Sequence, residues 1–274
     1  FQDIDYIIAG LEPYDRSFFE AYPNVRVISR IGIGVDAIDI SSANAANVKI
    51  YNTPAAPSRS VAELTVGNLI SIVRGCHSMN TRFHQGRWAP FIGREVASMT
   101  IGLVGFGRIG KLVAGLLRPF GCKVIAYDPV WAAQQARELG VEFSAFADLL
   151  NNSEVVSLHL PLNEETFHLF NHETLSLMKK GSYLLNTARG GIVDDRALIQ
   201  LLKNNHIAGA VLDVFEDEPN TDICKGTPNL IASPHIAANT VEGRYRMEMG
   251  AAQNILQYVE SIENNSQPLP GLSA

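Results

Sequence analysis

Three ionisable residues stand just past strand-like runs, each on its own run. Arg189 follows "SYLLNTA", Glu218 lies in "GAVLDVFEDEP", and His235 lies in "NLIASPHIAAN". Histidine is suited to taking and returning a proton near neutral pH. A carboxylate beside it would hold the imidazole in place, and a guanidinium can grip a carboxylate through two parallel hydrogen bonds. Taken singly, each residue has a plainer role. His235 after Pro234 reads as a turn histidine, Glu218 in Glu216-Asp217-Glu218 as part of a solvated acidic loop, and Arg189 as a structural partner for a carboxylate or phosphate. What makes them one set is the scaffold that presents them.

That scaffold is an alternation of short apolar runs with helix-period segments. Strands are expected at 6–8, 25–29, 100–104, 123–127, 155–160, 182–186, 209–212 and 230–232, with helices at 109–118, 173–179, 195–204 and 240–262. Apolar strands alternating with helices predict an α/β fold on a parallel sheet. In an open sheet of that kind the carboxyl ends of the strands line one crevice, so residues from three strand ends can meet. The stretch from Cys76 to Met99, with His77, His84, Trp88, Pro90 and Gly93, has a poor helical period and reads as a surface connector. The helix at 240–262 is expected to close back over the first segment. A substrate domain would then comprise 1–52 and 240–274, with a nucleotide-binding domain at 53–239.

The nucleotide reading rests on "TIGLVGFGRIGKLVAGLL", in which Gly105-x-Gly107-x-x-Gly110 follows a strand and opens a helix. The glycines suit a tight turn, close approach of backbone to a pyrophosphate, and close packing of helix on strand. The helix start then offers N–H groups to the phosphates. Asp128 ends the next strand, "KVIAYDP", where its carboxylate can bind ribose hydroxyls and repel a 2′-phosphate. With no Arg or Lys in the following "PVWAAQQ", NAD is favoured over NADP.

Composition narrows the partners. The chain has 274 residues, 46% hydrophobic and 18% charged, too apolar for disorder and ample for a core. A net charge of −6 argues against nucleic acid or an anionic membrane and favours a small molecule. Three scattered cysteines form no CxxC pair, so no metal site or disulfide framework is expected, and a reducing, cytoplasmic setting fits. No apolar stretch would span a bilayer, and no secretory signal stands at the start. The chain opens on Phe1, and "DIDYIIAG" reads as the middle of a unit, so a preceding segment is expected.

The stretches "SRIGIGVDAIDI", "NTPAAPSRSVAELTVG", "GLVGFGRIG", "YDP", "LHLPLNEET", "NTARGGIVDDRAL", "GAVLDVFEDEP" and "SPHIAANT" together resemble the D-isomer-specific 2-hydroxyacid dehydrogenases, in particular their phosphoglycerate dehydrogenase branch. The resemblance runs from about Arg30 to Thr240. It implies a Rossmann-type doubly wound NAD domain and a smaller flavodoxin-like α/β substrate domain, here truncated at its N-terminus. It implies interconversion of a D-2-hydroxy acid and its 2-oxo acid, with Arg189 orienting the substrate, His235 as acid–base and Glu218 tuning it. Substrate contacts would include the backbone at Ile33 and Gly34; Arg30 reads either as a phosphate or carboxylate ligand or as a surface residue. Cofactor contacts would include Arg108, Ile109, Asp128, Leu160, Pro161, Thr187, Ala188, Asp213 and the backbone after His235, at Ala237. The helix beginning near Ser60 resembles the family's dimer-forming helix, which implies a homodimer. Members of the phosphoglycerate branch often carry an arginine near the stretch that here reads "IIAGLEP", where this chain has Ala9 and Gly10. No regulatory domain is expected after Ala274. Two other readings remain: a corepressor-like protein that senses the nucleotide, and formate oxidation, whose branch has Gln where Glu218 stands.

Overall fold

The computed structural model describes residues 3–264 and 271–272. In chain order β1 (Tyr6–Ala9), α1 (Arg16–Ala21), β2 (Val27–Arg30), α2 (Ile40–Ala45) and β3 (Lys49–Tyr51) come first. Then follow α3 (Ser58–Val73), α4 (Cys76–His84), β4 (Thr100–Val104), α5 (Arg108–Leu117), β5 (Lys123–Tyr127), α6 (Ala133–Leu139) and β6 (Glu142–Phe143). The series ends with α7 (Phe146–Asn152), β7 (Val155–Leu158), α8 (His172–Leu177), β8 (Ser182–Asn186), α9 (Asp195–Lys203), β9 (Ile207–Leu212), β10 (Leu230–Ala232) and α10 (Val241–Glu263). Two compact units result: Phe1–Ser60 with Ala238–Ala274, and Val61–Ala237.

The first unit is a parallel sheet in the order β1-β2-β3, cored by Ala9, Phe19, Ile28, Ile38 and Ile50. Its short helices start at aspartate caps. Asp15 accepts from the Phe18 N–H and Asp39 from the Ser42 N–H, each filling an orphan donor of the first turn. As expected for the last helix, α10 packs on β1 and β2. Asn254 on α10 donates to Ser29 Oγ and to the Asn52 carbonyl, both at 3.1 Å.

The second unit is a seven-stranded, wholly parallel sheet in the order β10-β9-β8-β7-β4-β5-β6. The strand order reverses between β4 and β7, which marks the doubly wound arrangement and its switch point. Side chains alternate between two cores, as the period of a strand requires. Ile101, Leu103, Val155, Leu185 and Val211 join Leu69 of α3 and Leu117 of α5 on one face. Val104, Val156, Leu158, Leu184 and Leu212 join Leu175 of α8 and Leu198 of α9 on the other. Burial on both faces explains why these strands read as continuous apolar runs.

Five expectations need adjusting. The 76–99 stretch is not all connector, because its first part is α4. None of the α4 residues is buried, so it carries no apolar stripe to read. The strand expected at 155–160 stops at Leu158, and the one expected at 25–29 is shifted to Val27–Arg30. The first crossing between units falls inside α3, at Ser60–Val61, rather than at 52–53. The segment after β3 stays tied to the first unit: the Thr53 N–H donates to the Gly32 carbonyl at 2.9 Å, and Ser60 Oγ lies 2.8 Å from Thr240 Oγ1. The return crossing falls at Ala237–Ala238 rather than at 239–240. Much of the polar tail after α10 lies outside the described residues.

Candidate active site and cofactor cradle

The glycine turn joins β4 to α5 at the switch point. Gly105 has a φ of +99°, and a Cβ there would stand 2.5 Å from the His159 carbonyl oxygen, so only glycine serves. A Cβ on Gly110 would overlap the Gly105 carbonyl, which brings α5 tight against the strand. Gly107 differs: a Cβ there would meet nothing within 4 Å. Its openness is what a pyrophosphate needs from the backbone. The residue caps α5 with no side-chain hydrogen bond, so the cap itself supplies no side-chain acceptor to the first-turn N–H groups of that helix. Arg108 is exposed and Ile109 half-buried at that turn.

Asp128, at the end of β5, braces the turn. Its Oδ2 accepts from the Phe106 N–H at 2.7 Å and its Oδ1 from the Val130 N–H at 2.8 Å. Each oxygen keeps a second lone pair for a ribose hydroxyl. On the other side, His159 follows β7 with Nε2 3.0 Å from Ser157 Oγ. Burial pushes His159 down to about 4, so a neutral imidazole lies beside the glycine turn. Leu160 is half-buried and Pro161 exposed. An open backbone, an uncapped helix start and a strand-end carboxylate fit a dinucleotide.

Arg189 follows β8 in extended conformation, half-buried, with Nη1 donating to the Ala188 carbonyl at 2.7 Å. The turn is built by Asn186, which is wholly buried. Its Oδ1 accepts from the Ala188 N–H at 3.0 Å and its Nδ2 donates to the Arg189 carbonyl at 2.8 Å. Thr187 is buried, its Oγ1 2.9 Å from Thr65 Oγ1, which lies 2.8 Å from the Val61 carbonyl oxygen and can donate to it. Just beyond, Asp194 caps α9 by accepting from the Arg196 and Ala197 N–H groups.

Glu218 and His235 are in direct contact. Glu218 Oε2 lies 2.8 Å from His235 Nδ1, and Glu218 Oε1 accepts from the Phe215 N–H at 3.0 Å. An ionised Glu218 can only accept, so Nδ1 carries the hydrogen of this contact. Gly190 joins Arg189 to this pair, because its α-carbon sits so close to the Phe215 carbonyl that a Cβ would overlap it.

His235 has a φ of +52°, a costly conformation that its surroundings must impose. The enforcer is Asp213, which the sequence placed among the cofactor contacts. Asp213 is wholly buried beneath the turn. Its Oδ1 accepts from Ser233 Oγ at 2.5 Å and from the Ile236 N–H at 2.9 Å, and its Oδ2 from the Ala237 N–H at 2.8 Å. Its carbonyl accepts from the His235 N–H at 2.8 Å. The carboxylate acts on the turn from below, and Ala237 is buried with it. Neither this bracing nor that of Asn186 was recognised from the sequence. Both residues end strands as polar side chains after apolar runs, which was the one available signal.

Arg30, Ile33 and Gly34 lie in the first unit, at and just after the end of β2, all half-buried. Asn52 Nδ2 donates to the Ile33 carbonyl at 2.7 Å, and Thr53 Oγ1 accepts from the Gly32 N–H at 2.9 Å. Among the described residues no group of three His, Cys, Asp or Glu could hold a metal, and no helix is long and apolar enough to cross a membrane.

Residues 66–237 match the model of the D-isomer specific 2-hydroxyacid dehydrogenase NAD-binding domain. The chain is 38% identical over 244 residues to a hydroxypyruvate reductase of Thermotoga maritima, covering 87% of this chain and 79% of that one. It is 36% identical to a D-3-phosphoglycerate dehydrogenase of Bacillus subtilis, covering 89% of this chain but 47% of the relative. Its structure superposes with a TM-score of 0.87 on a D-lactate dehydrogenase from Aquifex aeolicus complexed with NAD and lactic acid, at 29% identity over 96% of this chain and 85% of that one. The chain belongs to the D-isomer-specific 2-hydroxyacid dehydrogenase family and is an NAD-dependent oxidoreductase.

Proposed function

We propose that the protein interconverts a D-2-hydroxy acid and its 2-oxo acid, with His235 as the acid–base, Glu218 holding its tautomer and Arg189 anchoring the substrate carboxylate. The observation that supports this reading is the 2.8 Å contact between Glu218 Oε2 and His235 Nδ1, which engages Nδ1 and leaves proton exchange to Nε2 in this proposal. In the oxidative direction Nε2 takes the hydroxyl proton; in the reverse direction it returns it. When bound, NAD supplies the acceptor for the hydride leaving C2. Gly105, Gly107, Gly110 and Asp128 form the proposed cofactor cradle, with Thr187 and Ala188 at the neighbouring strand end.

The test follows NADH absorbance with glyoxylate, hydroxypyruvate, phosphoglycerate and formate. Turnover of at least one 2-oxo or 2-hydroxy acid is expected, with no turnover of formate. His235→Ala should lose at least about a hundredfold in turnover while keeping its affinity for NADH. Near-normal turnover in that variant would sink the assignment, and silence with every acid would favour a nucleotide-sensing protein. The phosphoglycerate arm also tests D-3-phosphoglycerate as the substrate, for which Arg30 is the proposed phosphate contact.

A homodimer is part of the proposal. Phe83, Trp88 and Ile92 are 62%, 84% and 95% exposed on α4 and the segment after it, a cost in water that a second copy would remove. Trp88→Glu should convert the dimer to monomer in sedimentation. Three free thiols, Cys76, Cys122 and Cys224, support a reducing, cytoplasmic setting.

A further inference from the structure

Three side chains outside the proposed reacting set lie where the Arg189 turn, the Glu218 loop and the loop before α8 come together. His168 Nε2 stands 2.9 Å from Glu216 Oε1, and the Glu216 N–H donates to Asp195 Oδ2 at 3.3 Å. The His168 N–H donates to the Gly191 carbonyl at 2.8 Å. His168 holds a φ of +49°, and Phe167 stacks on its imidazole at 4.1 Å between ring centroids. Burial, with the nearby charges of Glu216 and Asp194, pushes Asp195 up to about 6, while the hydrogen bond from the Glu216 N–H and, to a smaller extent, His168 oppose the rise. The groups therefore feel one another electrostatically as well as touching.

The loop they hold also carries Glu218. Glu216 and Glu218 are two residues apart, and Phe215 meets Gly190 through its carbonyl and Glu218 Oε1 through its N–H. A continuous run of contacts therefore leads from His168 through Glu216, Phe215 and Glu218 to His235. The side chains of His168 and Glu216 are 32% and 36% exposed, too wet for their ion pair to add much stability. What the pair offers is position.

We propose that His168, Glu216 and Asp195 form a positioning clasp that fixes the Glu218 loop against the Arg189 turn and so sets where Glu218 meets His235. The proposal rests on the reading of Glu218 and His235 as the acid–base pair. His168 and Glu216 act through that pair and do not touch the reacting atoms.

The experiment compares Glu216→Ala, Glu216→Gln, His168→Asn and the Ala–Asn double variant. Asparagine tolerates the left-handed backbone at 168 but cannot reach Glu216. Turnover, KM, NADH affinity and the proton NMR titration of His235 are measured, with His235→Ala identifying the resonance. Glu216→Ala and His168→Asn should each lower kcat about tenfold, in keeping with a slight misplacement of the acid–base pair. KM and NADH affinity should stay unchanged, and the double variant should lose no more than either single one. The His235 midpoint should move in Glu216→Ala and His168→Asn, and Glu216→Gln, which keeps an acceptor, should restore most of kcat.

Folded variants with unchanged kcat and an unchanged His235 midpoint would overturn the clasp, and so would additive losses in the double. If Glu216→Ala does not fold, His168→Asn carries the test. A moved midpoint alongside normal turnover in His235→Ala would support the clasp and sink the catalytic reading, so the two can fail separately.

Discussion

Gly190 allows the site to be perturbed with a single methyl group. Its φ is not positive, so the backbone itself would accept alanine. The space would not. A Cβ would stand 2.5 Å from the Glu216 nitrogen and closer still to the Phe215 carbonyl, where ordinary contact begins near 3.4 Å. In Gly190→Ala the Arg189 turn and the 215–218 loop must therefore part by about 1 Å, because both obstructing groups are backbone. Overpacking of this kind costs roughly 1–3 kcal/mol, and a shift of about 1 Å in reacting groups costs on the order of a hundredfold in rate. For a chain of this size the melting temperature should fall by about 5 °C. The assay pairs thermal melting with NADH-coupled turnover and NADH affinity. Affinity should be nearly retained, because the Gly105–Gly110 turn belongs to β4 and α5. Wild-type melting would mean that the two turns do not touch as described. A lowered melting temperature with undiminished turnover would refute the link between their spacing and the chemistry.

Gly107→Ala should do the reverse, leaving the melting temperature unchanged, since its Cβ meets nothing within 4 Å, while weakening NADH binding in a fluorescence titration. Asn186→Ala strands the Ala188 N–H and the Arg189 carbonyl without their partner and should cost about 1–3 kcal/mol in denaturant unfolding, with a raised substrate KM. Asp195→Asn should stabilise the protein, but only at higher pH. The folded pKa of Asp195 is raised from 3.8 to about 6, so folding favours the protonated carboxyl. The penalty is absent below pH 3.8, grows between the two values and is complete above 6. Asparagine cannot ionise and keeps an acceptor for the Glu216 N–H. After solvent screening the gain should be about 1 kcal/mol at pH 8. It should vanish near pH 3, and an equal gain at both pH values would rule out ionisation as the cause.

The sheet and its cofactor turn were legible because their signals are local. Apolar runs of strand length, a GxGxxG between strand and helix, and an aspartate at the next strand end lie within one βαβ unit. Other elements left no such trace. The α4 helix has no buried face, β6 is two exposed residues long, and His168 and Glu216 lie 48 positions apart. Asp213 illustrates a different limit. A polar residue ending an apolar run reads equally well as a ligand contact or as a brace, since its type does not say whether the carboxylate faces outward or supports the turn of a neighbouring strand.

In the structure a pair of such residues act as braces. Asn186 ends β8 and Asp213 directly follows β9, and the Asp213 N–H donates to the Asn186 carbonyl at 3.0 Å, so the ladder makes them neighbours. Each is wholly buried, and each satisfies its polar atoms on a turn that carries a proposed site residue: Asn186 on Ala188 and Arg189, Asp213 on Ser233, Ile236 and Ala237 after β10. A buried polar group left unpaired is costly, so neither turn can move without breaking its brace. The positions of Arg189 and His235 thus derive from adjacent strand ends in one parallel sheet. That gives two residues 46 positions apart in the chain a common rigid reference, which the proposed acid–base chemistry would require.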